Sequence, residues 1–107
     1  MTTMTVTPGL DLEVTALTSA PGIRLRGEVD MSTLPLLELA LDLLTDTPGD
    51  VSVDVRLLTF IDVPGSRALA HAALRLRADG RRIRLDGATP SVRRLLGVLG
   101  WATLFDY

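Results

Sequence analysis

The chain has 107 residues with 13 acidic and 11 basic side chains, and 47% of it is hydrophobic, the profile of one compact domain rather than two. It has no cysteine, no lysine and a single histidine, His71, which excludes thiol nucleophiles, zinc clusters, lysine-based Schiff-base or P-loop chemistry and relays between two imidazoles. A net charge of −2 runs against a protein devoted to gripping the nucleic-acid backbone, which needs surplus positive charge.

Residues 1–9 are threonine-rich without a basic start or an apolar core, so they read as a flexible N-terminus and not as a signal peptide. Leu10 to Leu17 alternates apolar Leu10, Leu12, Val14 and Ala16 with polar residues, the two-residue period of a half-buried strand. Ala20-Pro21-Gly22 turns the chain and Ile23 to Val29 alternates again, so the first two strands are expected as a hairpin. A helix follows from about Ser32 to Thr45, with Ser32 as its cap and Pro35 tolerated in the first turn. Val51, Val53 and Val55 begin a third strand that runs on to Phe60-Ile61, and a loop is expected at Asp62-Val63-Pro64-Gly65. Leu69, Ala72, Ala73 and Leu76 recur at helical spacing up to Asp79-Gly80. Ile83 and Leu85 mark a fourth strand, Thr89-Pro90 starts a helix that Gly100 closes, and Ala102 to Phe105 reads as a short last strand.

The order β-β-α-β-α-β-α-β implies parallel pairing across the helical crossovers. Because the strands alternate instead of being apolar throughout, one sheet face must be polar and the helices lie mainly on the other. The stretch from Leu95 to Phe105 is the longest without charge and falls short of the roughly 20 apolar residues of a membrane span. A cytoplasmic protein without a membrane partner is expected.

Several short motifs then fall in order: Gly27-Glu28-Val29-Asp30 ending the second strand, Phe60-Ile61-Asp62 with Gly65 before the second helix, and Thr89-Pro90-Ser91-Val92-Arg93-Arg94-Leu95-Leu96 with Gly100 in the third. Together they resemble the STAS domain, found in bacterial anti-sigma factor antagonists and in the cytoplasmic tails of sulphate transporters. The resemblance covers residues 10–107 as a single domain. It implies an α/β fold of STAS type: a βα superhelix with a mixed, mostly parallel sheet, helices mainly on one face and the N-terminal strand added as a hairpin. It also implies a regulatory protein that binds an anti-sigma factor, usually a serine kinase of the histidine-kinase-like ATPase type. In that family the loop before the second helix carries a phosphorylated hydroxyl just before its glycine. Here Pro64 stands at that position and takes no phosphate.

The expected partner surface comprises Asp30, the segment Asp62, Val63, Pro64, Gly65 and Ser66, and the solvent side of the second helix at Arg67, Ala70, His71 and Leu74. Asp30 and Asp62 both follow strands that end at the carboxyl edge of the sheet, where open α/β sheets collect functional groups. A magnesium site is one reading of such a pair, and helix capping is the simpler one. A phospho-receiver would need a lysine. Ser32, Ser66 and Ser91 have no evident base, so no enzyme, cofactor or metal is expected. Arg24, Arg26, Arg82 and Arg84 gather on the polar sheet face, but base-stacking aromatics lie elsewhere; pairing with Asp11, Glu13, Asp54 and Asp86 accounts for them without nucleic acid. Leu36, Leu39 and Leu43 widen the apolar stripe of the first helix, which points to a homodimer there or to cover by the N-terminal segment. The alternative function is a small-molecule or lipid sensor on the same fold, which requires a cavity.

Overall fold

A computed structural model of the protein describes Thr3–Met4 and residues 11–107. The elements are β1 (Thr3–Met4), β2 (Leu12–Ala16), β3 (Gly22–Val29), α1 (Leu34–Thr45), β4 (Val51–Ile61), α2 (Val63–Ala78), β5 (Ile83–Asp86), α3 (Pro90–Val98), a 3₁₀ turn (Ala102–Leu104) and β6 (Phe105–Asp106). They form one mixed sheet whose strands lie in chain order. β1, β2 and β3 pair antiparallel; β3 to β6 pair in parallel. Each helical crossover thus moves the chain one strand onward, and the expected mixed, mostly parallel α/β sheet is what forms.

The sidedness of the sheet follows from the alternation. Leu12, Val14, Ile23, Leu25, Val51, Val53, Ile83 and Leu85 turn inward and join Leu37, Leu41, Leu69, Leu76, Val92 and Leu96 from the three helices in one core. Glu13, Arg24, Arg26 and Arg84 face solvent. Arg24 Nε donates to Asp54 at 3.0 Å across the β3–β4 pair, as expected of this face. Arg84 instead pairs with Asp86 on its own strand, and Arg82 with Asp106 on β6.

Several expected boundaries shift. β2 begins at Leu12, and Leu10 lies outside the described residues. Within the expected flexible N-terminus, Thr3 and Met4 register against Thr15 and Val14; the other residues of that segment lie outside the described ones. The first helix starts at Leu34 with Thr33, not Ser32, in the cap position; the Thr33 hydroxyl makes no cap bond and instead donates to the Glu28 carbonyl at 2.9 Å. The expected loop at Asp62-Gly65 is already helical from Val63. Ala102–Leu104 forms a 3₁₀ turn, and the last strand is only Phe105–Asp106.

The β3–β4 pair carries two irregularities that alternation cannot show. From Arg24 to Arg26 on β3, β4 runs from Asp54 to Leu57, and from Gly27 to Glu28 it runs from Leu58 to Phe60, so β4 holds an extra residue at each point. Such bulges free backbone groups from the ladder. Two side chains take them up: Asp54 Oδ1 accepts the Arg56 N–H at 3.0 Å, and the Thr59 hydroxyl donates to the Gly27 carbonyl at 3.0 Å.

Asp54 is almost fully buried. Burial pushes its carboxyl up, but the Arg56 N–H and the Arg24 guanidinium, with the nearby charge of Arg56, outweigh it and hold the pKa below the ordinary value. Asp54→Ala should therefore remove about 1–3 kcal/mol of stability near neutral pH, read as a lower urea midpoint. The contribution is present above the unfolded carboxyl pKa of about 3.9 and is lost as pH falls through the lower folded value. The variant's stability should fall less steeply than the parent's over that acid range.

Candidate functional site

Val29 and Ile61 are cross-strand partners, so Asp30 and Asp62, one residue further on, leave adjacent strands at the same edge of the sheet. Neighbouring strands lie about 4.8 Å apart. The Asp62 N–H continues the ladder, donating to the Val29 carbonyl at 3.1 Å. Each carboxylate then closes the turn that follows its own strand. Asp62 caps α2 by accepting from the Gly65 N–H at 2.8 Å. Asp30 Oδ1 accepts from the Ser32 N–H at 2.9 Å and the Ser32 hydroxyl at 2.7 Å, and from the Thr33 N–H at 3.3 Å. The Ser32 hydroxyl, chiefly, holds the Asp30 pKa below its ordinary value, with the Ser32 and Thr33 N–H groups outweighing the opposing effect of burial. Both acids serve as turn and cap groups. Among the described residues, no set of three or more acidic or histidine side chains is placed to hold a metal ion.

Pro64 occupies the second position of α2, where helical N–H groups have no partner and proline costs little. Gly65 follows because the helix start lies directly on the strand ends. A Cβ there would stand 2.5 Å from Val29 Cγ1 and 2.9 Å from Ile61 Cγ1. Ser66 is buried, and its hydroxyl donates to the Asp62 carbonyl at 3.0 Å.

Of the other expected surface residues, Val63, Arg67, His71 and Leu74 are exposed, Leu74 to 48%. They sit at successive turns of one helical face. Ala70 is corrected: it is 0% exposed. α2 lies between α1 and the 3₁₀ turn as well as on the sheet, so its buried arc, from Gly65 and Ser66 through Leu69, Ala70, Ala72, Ala73 and Leu76, is wider than one stripe. Small side chains along that arc allow the close approach.

Two apolar residues on this edge escape sequence reasoning. Met31, directly after Asp30, is 83% exposed, and Phe60, two residues before Asp62, is 49% exposed. Phe60 looks like a core strand residue until the second bulge turns it out opposite Glu28. Met31 offers no periodic signal because it lies in a turn. On α1, Leu36 packs against the core while Leu39 and Leu43 stay exposed. Among the described residues, no helix is long and apolar enough to cross a membrane.

The family model described as "Mlab, STAS domain" matches residues 12–106. No curated protein sequence matches the chain. Among solved structures, an anti-sigma factor antagonist from Mycobacterium paratuberculosis shares 25% identity at a TM-score of 0.69, over 88% of this chain and 80% of its own. SpoIIAA, also an anti-sigma factor antagonist, matches in its unphosphorylated form at 20% identity and a TM-score of 0.70 over 88% of this chain and 84% of its own. The phosphorylated form of the Bacillus protein matches at 16% and 0.65 over 88% and 87%. A sulfate transporter family protein from Wolinella succinogenes matches at 19% and 0.66 over 83% and 73%. The SpoIIAA and Wolinella likenesses concern the fold.

The cap and the close approach at the start of α2 are separable by mutation. Asp62→Ala should cost about 0.5–2 kcal/mol as a lost cap. Gly65→Ala should cost about 1–3 kcal/mol through overpacking against Val29 and Ile61. Equal urea midpoints for Gly65→Ala and the parent would contradict this account.

Proposed function

Because the chain belongs to the STAS domain family, we propose that it is a regulatory binding protein of the anti-sigma factor antagonist type, whose partner is an anti-sigma factor or a related histidine-kinase-like ATPase. The observation that supports the reading most is the exposed face of α2, Val63, Arg67, His71 and Leu74, on a helix that starts at the carboxyl edge of the sheet, where Met31 is exposed as well. Apolar side chains interleaved with one arginine and one histidine on a rigid helix suit a protein interface, where a few such anchors carry most of the affinity. Asp30 and Asp62 belong to this surface as positioning residues.

The surface works in this reading without a phosphate switch in its loop. A phosphate adds about −1.5 to −2 charges and needs an accessible hydroxyl. Pro64 has none. Ser66 is 1% exposed and its hydroxyl is already spent on the Asp62 carbonyl. The protein then binds constitutively, or its binding is set by abundance or by an input elsewhere in the molecule.

Leu74→Asp and Val63→Asp test the face, since both side chains are exposed and each change should alter stability by no more than about 0.5 kcal/mol. With unchanged unfolding midpoints, each should weaken capture of the ATPase or anti-sigma partner by about tenfold or more. Retention of neither partner class by the parent protein in pull-downs would overturn the reading. Incubation with ATP and the cognate kinase should leave Ser66 unmodified by mass spectrometry, whereas Pro64→Ser should acquire phosphate. Stoichiometric phosphate on Ser66 that weakens binding would refute the switchless loop.

A further inference from the structure

β5 ends at Asp86, paired with Asp54, whereas β4 continues to Ile61. The chain leaves β5 through Gly87 and begins α3 at Pro90, so the carboxyl half of β4 has β3 on one side and no strand on the other. The space between this half of β4 and the first turns of α3 is a cavity of about 570 Å³, open on one side. That volume lies in the range of small-molecule sites, about 300–1,000 Å³.

Its lining is divided by chemistry. Leu58 and Ile61 from β4 and Val92 and Leu95 from α3 make apolar walls, and the half-exposed Phe60 stands among them. Arg56, Thr59, Thr89 and Ser91 supply its polar part, and among the described residues no carboxylate lines the cavity. Arg56 is placed there by its neighbours: its Nε faces Asp54 at 3.6 Å, and its stem lies on Gly87, where a Cβ would collide with it. Gly87 has φ +74°, a conformation that also favours glycine. The two Nη groups of Arg56 make no hydrogen bond among the described residues.

We propose that this cavity is a binding site for an anionic amphiphile, a carboxylate on an apolar chain or ring, with the acid on Arg56 and Ser91 and the apolar body between Leu58, Ile61, Val92 and Leu95. A cation finds no counter-charge in the lining, and a purely polar anion leaves the apolar walls unused. The site is distinct from the α2 face, although Phe60 and Ile61 lead directly into the Asp62 cap.

Isotope-labelled protein titrated with decanoate below its micelle concentration tests this by amide chemical shifts, with decan-1-ol and acetate as the apolar and the anionic half-ligands. Decanoate should saturate, with shifts concentrated in residues 55–61 and 89–95, and should bind about tenfold tighter than either half-ligand. Arg56→Gln should weaken decanoate by about tenfold and leave decan-1-ol unchanged, while Arg56→Lys, which keeps the charge, should retain most of the affinity. Leu39→Asp, on the exposed side of α1, should change nothing. Non-saturable shifts, shifts centred on Leu39 and Leu43, equal binding of decanoate and decan-1-ol, or an unaffected Arg56→Gln would each overturn the proposal. So would an acidic peptide that occupies the same groove while decanoate does not.

Discussion

The parallel pairing of β3 with β4 governs the rest of the molecule. It brings Val29 against Ile61, and from that pair Asp30 and Asp62 leave the sheet side by side, each to start a helix. The two extra residues in β4 shape what surrounds the pair. They carry the inward positions from Val55 to Leu58 and then Ile61, and they turn Arg56 and Phe60 outward. Without the Asp54 carboxylate on the Arg56 N–H and the Thr59 hydroxyl on the Gly27 carbonyl, the bulges would leave polar backbone unpaired in a half-buried strand, at a cost comparable to a lost hydrogen bond for each group.

A core on only one side of the sheet places a second demand on α2. The helix must cover the middle of the sheet while α1 and the 3₁₀ turn press on its flanks, so seven of its 16 residues are buried. Gly65, Ser66, Ala70, Ala72 and Ala73 meet this demand by being small. The solvent side carries Val63, Arg67, His71, Leu74 and Arg75, on a helix whose start lies against Val29 and Ile61. Such backing restricts side-chain freedom before any partner arrives, which lowers the entropic cost of association.

Apart from β1, which falls in the segment expected as a flexible N-terminus, the strands and helices were legible in the sequence because of their periods: two for Leu12-Val14, Ile23-Leu25 and Val51-Val53-Val55, and about 3.6 for Leu69-Ala72-Ala73-Leu76. The Asp62 and Thr89 caps were legible as well, since a short polar side chain before a proline-containing first turn has few other uses. What escaped was set by tertiary contact. Ala70 is covered because of what flanks its helix, and an alanine carries no sign of which side is covered. Phe60 is exposed through a register shift on which residue type is silent. Thr33 stands at the cap position in place of Ser32, with the Thr33 hydroxyl on the Glu28 carbonyl and the Ser32 hydroxyl on the Asp30 carboxylate, contacts that the helical period does not show. The cavity beside β4 depends on β5 being four residues long while β4 is eleven, a mismatch between two elements that neither reveals alone.

The start of α2 also bears on how such a surface can be controlled. A modification or ligand shifts binding only through a difference in interaction between two states. At this terminus the backbone is held by the Asp62 cap and the Ser66 hydroxyl, φ at position 64 is fixed by the proline ring, and Gly65 leaves no room for a second arrangement against Val29 and Ile61. In the proposed reading, control comes from outside this terminus, by competition for the exposed face of α2 or through the strand that leads into the cap. β4 is that strand: its last two residues, Phe60 and Ile61, touch the cavity on one side and set the position of Asp62 on the other. In the proposed reading, proline at position 64 leaves the helix terminus without a hydroxyl to modify, while β4 joins the proposed cavity to that same terminus.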